Sequence, residues 1–190
     1  MNITAGKYKG SKVKIPDEKI VRPTLSKIRE SIFNTLFSII DFEDKSFLDM
    51  FAGSGIMGLE ALSRGFETVL ALEKNAKVAR ILKENYENIK LKPNLIIGDS
   101  LKILPKLNDK FDVIYIDPPY YSGIYEECLQ KINENSLLNP DAIVILEHVA
   151  EVDWEGFGFK LIKQKKYGDK FLTFLELRRC IKSRHCEPSG

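Results

Sequence analysis

The run FDVIYIDPPYY, Phe111 to Tyr121, places an apolar stretch directly before an acid, two prolines and two tyrosines. A short run rich in Val and Ile that ends in turn residues is typical of a buried parallel strand. The carboxyl ends of such strands face the crevice in which open α/β sheets bind their ligands. We therefore predict an α/β fold, with a site lined by Asp117, Pro118, Pro119 and Tyr120.

The chemistry of this turn favours an amine attached to a flat ring. Prolines lack N–H donors, so the turn presents carbonyl oxygens, and an ionised Asp117 adds an acceptor-only carboxylate. Acceptors that hold the hydrogens of an exocyclic amine out of the ring plane localise its lone pair, while Tyr120 stacks on the ring. The alternative is a strand that ends in a Pro-Pro turn with a capping Asp.

A second motif occupies residues 46–65, SFLDMFAGSGIMGLEALSRG, which reads as strand, glycine turn and helix. Gly53, Gly55 and Gly58 fit the G-x-G-x-x-G pattern, in which glycine permits a tight turn close to a ligand. That pattern would equally suit a dinucleotide-binding dehydrogenase. Asp49 separates the two interpretations, because an acid there suits a cationic ammonium group and fits poorly beside a pyrophosphate.

Two further acids follow predicted strands. Glu73 ends the strand 68–72, where an acid is expected to accept the hydroxyls of a ribose; the alternative is a surface acid paired with Lys74 or Lys77. Asp99 follows the strand 95–97 and could accept from an adenine amine, with Ser100 or the next backbone N–H at a ring nitrogen. A plain helix N-cap is the competing interpretation of Asp99.

Size and composition indicate one soluble globular domain. The 190 residues are enough for a substantial core, and no apolar run reaches the roughly 18 residues of a membrane helix. The N-terminus has no apolar signal segment, and three cysteines suit a reducing cytoplasm better than a disulfide framework. We therefore expect a cytoplasmic protein with no membrane contact.

Charge is segregated along the chain. Residues 1–30 carry eight Lys or Arg against three acids, and residues 160–190 carry nine against three, while the centre is acidic. A basic arm indicates a possible phosphate-binding surface, and a solvated lysine-rich face is the alternative.

The elements and motifs together resemble the S-adenosyl-L-methionine-dependent methyltransferases with a Rossmann-like fold. The segments ITAGKYKGSKVKIP and RPTLSKIRESIFNTL, together with DPPY, are similar to the RsmD family of 16S ribosomal RNA guanine-N2 methyltransferases. The resemblance covers residues 1 to about 178. It implies a mostly parallel seven-stranded sheet with helices on both faces, a basic N-terminal hairpin (1–24), a methyltransferase domain (25–178) and a disordered tail (179–190).

The resemblance also implies roles for particular residues. Asp117, Pro118, Pro119 and Tyr120 would hold the target amine. The cofactor S-adenosyl-L-methionine would be bound by Asp49, Ala52, Gly53, Gly55, Glu73, Lys74, Asp99, Ser100 and Thr24. RNA would be bound by Lys7, Lys9, Lys12, Arg22, Lys27 and Arg29. We expect a monomer that acts on 16S ribosomal RNA, with a small ribosomal subunit particle as a possible substrate.

Several alternatives stay open at this point. An adenine-N6 methyltransferase shares the DPPY turn, and a non-catalytic RNA-binding module would use the basic ends alone.

His148, after the apolar run 142–146, is interpreted as a structural histidine. Cys180, His185 and Cys186 lack the paired spacing of a zinc site, so we predict no metal. Residues 160–167 and 171–177 predict an antiparallel hairpin that closes the sheet.

Overall fold

The computed structural model describes residues 1–16, 26–119 and 124–178. Arg22, Thr24, Tyr120 and the Cys/His-containing tail therefore lie outside the described residues. The elements are α1 (Ser26–Phe37), β1 (Ser46–Asp49), α2 (Ile56–Ser63), β2 (Thr68–Glu73), α3 (Ala76–Glu87), β3 (Asn94–Ile97), α4 (Ser100–Ile103), a 3-10 turn (Leu104–Lys106), β4 (Phe111–Ile116), α5 (Ile124–Glu134), β5 (Leu138–His148), β6 (Phe159–Tyr167) and β7 (Lys170–Leu177).

The strands form one sheet in the order β3-β2-β1-β4-β5-β7-β6. The five strands from β3 to β5 are parallel, while β7 runs antiparallel to both β5 and β6. This confirms the predicted mostly parallel seven-stranded sheet and the closing hairpin. The chain order reverses between β1 and β4, which is where doubly wound sheets open a crevice at their carboxyl ends.

Alternation along the buried strands builds a core on each face of the sheet. Phe47 and Leu48 of β1 point to opposite sides, and so do Tyr115 and Ile116 of β4. The first member of each pair packs in the core that contains α1, α2 and α3, and the second packs in the core that contains α5. Helices therefore cover both faces, as predicted, because successive side chains of a strand alternate in direction.

The N-terminal segment, residues 1–16, folds back on itself as a short antiparallel pair without regular strands. Around the bridge from Asn2 to Lys12, backbone N–H groups of Ile3, Gly10 and Val13 donate to the carbonyls of Ser11, Ile3 and Met1, at 3.0, 2.9 and 2.7 Å. It packs against α2: the Thr4 backbone N–H and hydroxyl donate to the two carboxylate oxygens of Glu60, at 2.7 and 2.9 Å. Gly6 lies so close that a Cβ atom there would stand 1.8 Å from the Ser63 carbonyl oxygen. Backbone pairing within the segment and these contacts with α2 therefore hold it together.

The remaining differences concern element ends. α1 ends at Phe37, before the apolar residues Ile39 and Ile40, and β5 spans residues 138–148, which is longer than the apolar run 142–146. The extra length of β5 includes a register shift against β4, which admits polar residues at its start. Within the described parts of the chain, no helix is both long and apolar enough to cross a membrane.

Candidate functional site

Four acids line the carboxyl edge of four adjacent strands. Each lies two residues beyond a side chain in the core of α1, α2 and α3, so all four share that face of the sheet. We call this set the carboxylate row; across β2, β1, β4 and β5 it consists of Glu73, Asp49, Asp117 and Glu147. Lys170, the first residue of β7, follows next to β5.

Asp49 is the most isolated member of the row. Only 1% of the residue is exposed, and neither carboxylate oxygen has a hydrogen-bond partner among the residues that the structure describes. Burial raises the pKa of Asp49 to about 7 and the charge of Glu73 adds to this, while the Phe51 backbone N–H opposes it. A buried carboxylate without a partner is costly unless a cation or donor joins it. The position therefore fits a positively charged ligand.

The glycine turn that follows β1 has the predicted shape. Gly53 and Gly55 adopt φ values of +52° and +79°, and α2 begins directly afterwards. A Cβ atom on Gly55 would lie 2.7 Å from Cγ of Leu82, so only glycine fits there. Ala52 is buried, and its backbone N–H donates to the Leu72 carbonyl at 2.9 Å. The backbone of the turn therefore lies at the end of β2, beside Glu73.

Glu73 is held by backbone groups. Its Oε2 accepts from the Gly53 N–H at 2.9 Å, and its Oε1 accepts from the Asn75 N–H at 2.7 Å. Lys74 instead pairs with Asp99, at 2.8 Å. Glu73 is thus oriented toward the glycine turn, in the position predicted for a ribose contact.

Asp99 and Ser100 have structural partners. Asp99 caps α4 through a hydrogen bond from the Leu101 N–H, as the competing interpretation held. The hydrogen bond from Lys74 is the main cause that lowers the pKa of Asp99. The Ser100 hydroxyl is buried and donates to the Met50 carbonyl at 2.5 Å. The Ser100 hydroxyl thus already has a protein partner, and the adenine contact of Ser100 or of the next backbone N–H stays a prediction.

The turn after β4 brings Asp117 next to Asp49. Asp117 is partly exposed, Pro118 is buried and Pro119 is exposed. Burial of its carboxyl group, followed by the charge of Glu147, raises the pKa of Asp117 to about 8. Lys170 and the Tyr115 hydroxyl oppose this, and Asp49 adds to it. Asp117 is thus a carboxyl group that holds its proton more tightly than usual.

Three residues beside Asp117 were not predicted from the sequence, namely Tyr115, Glu147 and Lys170. The Tyr115 hydroxyl donates to Oε2 of Glu147 at 2.8 Å and lies 3.5 Å from Oδ2 of Asp117. Lys170 forms an ion pair with Oε1 of the same Glu147. The position of Tyr115, two residues before Asp117 in a strand, was the one available signal that their side chains share a face.

His148 is a structural residue, as expected. One ring nitrogen bonds the Ala150 carbonyl at 2.7 Å and the other bonds the Thr173 hydroxyl at 2.8 Å. Burial lowers the pKa of His148, which favours the neutral ring.

The residues predicted to bind RNA fall into two groups. Lys7, Lys9, Lys12 and Lys27 are exposed. Arg29 is fully buried and lies 3.4 Å from Oε1 of Glu60, with a further bond to the Asn2 carbonyl at 2.9 Å. The prediction that Arg29 contacts RNA is wrong, because its guanidinium group joins α1, α2 and the N-terminal segment inside the protein.

The strand order, the glycine turn and the acids at the strand ends define a Rossmann-like methyltransferase, and comparison with known proteins agrees. The solved structure of yhhF from Escherichia coli, described as a candidate methyltransferase, superposes with a TM-score of 0.82 at 26% identity, covering 94% of this chain and 98% of that one. The family model "Conserved hypothetical protein 95" matches residues 1–176.

Curated relatives give the same result. The chain is 35% identical to "Ribosomal RNA small subunit methyltransferase D" of Haemophilus influenzae, over 77% of this chain and 78% of the relative. It is 31% identical to the protein of the same name in Escherichia coli K12, over 80% and 76%. The chain belongs to the Conserved hypothetical protein 95 family and is a methyltransferase, which confirms the resemblance to the RsmD family.

Proposed function

We propose that this protein transfers a methyl group from S-adenosyl-L-methionine to the N2 amine of a guanine in 16S ribosomal RNA. The observation that carries the proposal is the buried carboxylate of Asp49, which has no hydrogen-bond partner in the described parts of the chain and lies beside the glycine turn, one strand away from Asp117. The names of the relatives support the substrate class. A monomer acting in the cytoplasm, on naked RNA or on a small-subunit particle, is part of the same proposal.

The residues at the carboxyl edge fit the proposed cofactor. Asp49 offers an uncompensated buried carboxylate for the cationic end, and the backbone at Ala52, Gly53 and Gly55 allows close approach. Glu73 would accept from the ribose hydroxyls, while Asp99, Ser100 and Lys74 would lie at the adenine end. The hydrogen bond that joins Glu73 to the Gly53 N–H supports the first of these roles. When bound, S-adenosyl-L-methionine supplies a methyl group on a positively charged sulfur.

The turn after β4 would hold the target base. Asp117 and the carbonyl oxygens of the Pro-Pro turn accept hydrogen bonds from the exocyclic amine, and Tyr120 is proposed to stack on the ring. Fixing the amine in line with the methyl group could lower the barrier by about 7–11 kcal/mol. A paired guanine cannot reach such a pocket, so the base must be unpaired or flipped out.

The exposed lysines of the N-terminal segment and of the start of α1 are proposed to bind phosphates. Lys7, Lys9, Lys12 and Lys27 have the exposure that such contacts need. From sequence alone, Arg22 is proposed to bind phosphate as well, and Thr24 is proposed to bind the cofactor.

Transfer of tritium-labelled methyl groups tests the proposal. The purified protein is incubated with labelled S-adenosyl-L-methionine and either naked 16S ribosomal RNA or small-subunit particles, and the RNA is digested to nucleosides. We expect label in N2-methylguanosine. Label in N6-methyladenosine would favour the adenine enzyme, and unlabelled RNA from both substrates would contradict the proposal.

A further inference from the structure

Three groups on three different strands lie behind Asp117. Tyr115 belongs to β4, Glu147 to β5 and Lys170 to β7, and the register of the sheet sets them side by side. Glu147 is 2% exposed, and its two carboxylate oxygens have separate partners: Tyr115 on Oε2 and Lys170 on Oε1. Glu147 is therefore a buried carboxylate whose charge is balanced within the protein.

The hydroxyl of Tyr115 lies between two carboxyl groups but has one proton. The Tyr115 oxygen lies 2.8 Å from Oε2 of Glu147 and 3.5 Å from Oδ2 of Asp117, so its single proton can be donated to either group and the shorter contact is to Glu147. Burial raises the pKa of Tyr115, so the phenol stays protonated. A protonated Asp117 can donate to that oxygen, whereas an ionised Asp117 can only accept from it. By rotating its O–H bond, the hydroxyl can accept a hydrogen bond from protonated Asp117 or donate one to ionised Asp117.

We propose that Tyr115, Glu147 and Lys170 are positioning residues for Asp117, and that rotation of the Tyr115 hydroxyl from Glu147 to Asp117 accompanies ionisation of Asp117. Lys170 keeps Glu147 satisfied when the hydroxyl turns away. The inference rests on the proposed function, since it assigns these residues to the group that holds the target amine. Nothing in it requires a proton to leave Tyr115 or Lys170.

The charges around Asp117 predict how its titration midpoint changes when a neighbouring charge is removed. Among the described residues, the groups that act on the charge of Asp117 are Tyr115 on its own strand, Asp49 on β1, Glu147 on β5 and Lys170 on β7. Glu147 favours the protonated form of Asp117 and Lys170 favours the ionised form. Removing one or the other must therefore move the titration of Asp117 in opposite directions.

The variants Glu147→Gln and Lys170→Met test this, with Lys170→Arg as the charge-conserving control. Two readouts are used: the titration midpoint of the Asp117 carboxyl carbon in the ligand-free protein by ¹³C NMR, assigned with Asp117→Asn, and the pH at half-maximal kcat/KM for methyl transfer. We expect Glu147→Gln to lower both midpoints and Lys170→Met to raise both, on the order of one pH unit. Lys170→Arg should stay close to wild type, and the double variant Glu147→Gln/Lys170→Met should return toward it.

Tyr115→Phe provides an independent test that keeps the ring and both charges. Loss of the hydroxyl removes a donor to ionised Asp117, so its midpoint should rise. Shifts in the same direction for Glu147→Gln and Lys170→Met, or no shift in any of the three variants, would overturn the inference. The NMR arm needs no RNA: if the midpoints move as expected while no methylguanosine forms, the proposed function fails and the positioning arrangement stands.

Discussion

At the scale of single residues, the site combines buried acids whose ionisation is unfavourable without a ligand. The pKa of Asp49 is raised to about 7 and that of Asp117 to about 8, in both cases chiefly by burial. Lys170, the cation at the end of the row, already pairs with Glu147. The carboxylate row is thus short of positive charge beside Asp49, and a cationic methyl donor would supply it.

Asp49 should make the ligand-free protein less stable as the pH rises. Its pKa is raised in the folded state, so its contribution to stability is complete below the unfolded value of 3.8 and is lost as the pH rises through about 7. Between pH 5 and pH 8 the free energy of unfolding should fall by on the order of 2 kcal/mol from this residue. Asp49→Asn should remove that part of the fall, as measured by urea denaturation across this range.

Asp112→Asn is the matched control for this measurement. Burial raises the pKa of Asp112, but hydrogen bonds from Ser46 and the charge of Lys45 outweigh it, so the pKa is lowered. Its contribution to stability is then constant between pH 5 and pH 8, and the variant should keep the wild-type pH slope. Equal slopes for the wild type and Asp49→Asn would contradict the account of Asp49.

Asp117→Asn should separate catalysis from cofactor binding. The amide keeps the size of the side chain but adds an NH₂ donor at a position where the donor groups of the target amine need an acceptor. We expect the rate of methyl transfer to fall at least about 100-fold, while the Kd for S-adenosyl-L-methionine, measured by calorimetry, changes less than about threefold. Loss of cofactor binding in Asp117→Asn, with Asp112→Asn unaffected, would count against the assigned role.

At the scale of elements, the N-terminal segment joins the proposed RNA surface to the core. Its apolar residues Ile3 and Val13 are buried, and its backbone is bonded to Glu60 and Ser63 of α2. Its lysines are therefore presented on an ordered support. This support would hold the lysines in fixed positions for the proposed RNA contact.

Charge reversal of Lys7, Lys9 and Lys12 should weaken RNA binding in a salt-dependent way. Each lysine that no longer neutralises a phosphate should reduce the slope of log K against log salt by about 0.7 on single-stranded RNA. The measurement is fluorescence anisotropy with a ribosomal RNA fragment over a range of salt concentrations. The control reverses the exposed Lys92, Lys106 and Lys110, which precede the amino ends of β3 and β4. Equal weakening in both triple variants would show that the N-terminal segment is not the interface.

Sequence alone predicted the elements that have a local residue pattern. The strand β4 and the glycine turn were found because a buried strand is continuously apolar and a tight turn needs glycine at positive φ. One error came from a contact distant in sequence. Arg29 looked exposed because Glu60, its partner, lies 31 residues away.

The group behind Asp117 was missed for a related reason. Glu147 lies 32 residues from Tyr115 and 23 residues from Lys170, and only the register of β4, β5 and β7 brings them together. The acid after β5 was visible in the sequence, but its partners were not. Long-range pairing in a sheet leaves no local periodicity to find.

At the scale of the whole molecule, one edge of the sheet gathers the functional groups. Parallel strands deliver Glu73, Asp49, Asp117 and Glu147 to the same end, and β7 returns in the opposite direction to bring Lys170 beside them. The glycine turn lies between the first two acids and the Pro-Pro turn follows the third. The architecture thus places a proposed donor site and a proposed acceptor site on neighbouring strands.

The crystal structure of the protein soaked with S-adenosyl-L-methionine tests this central claim most directly. We expect the ammonium group within hydrogen-bonding distance of Asp49 or one bridging water from it, the ribose hydroxyls at Glu73, and the methyl group facing Asp117. A donor bound away from Gly53 and Asp117, with Asp49 still unpartnered, would contradict the account.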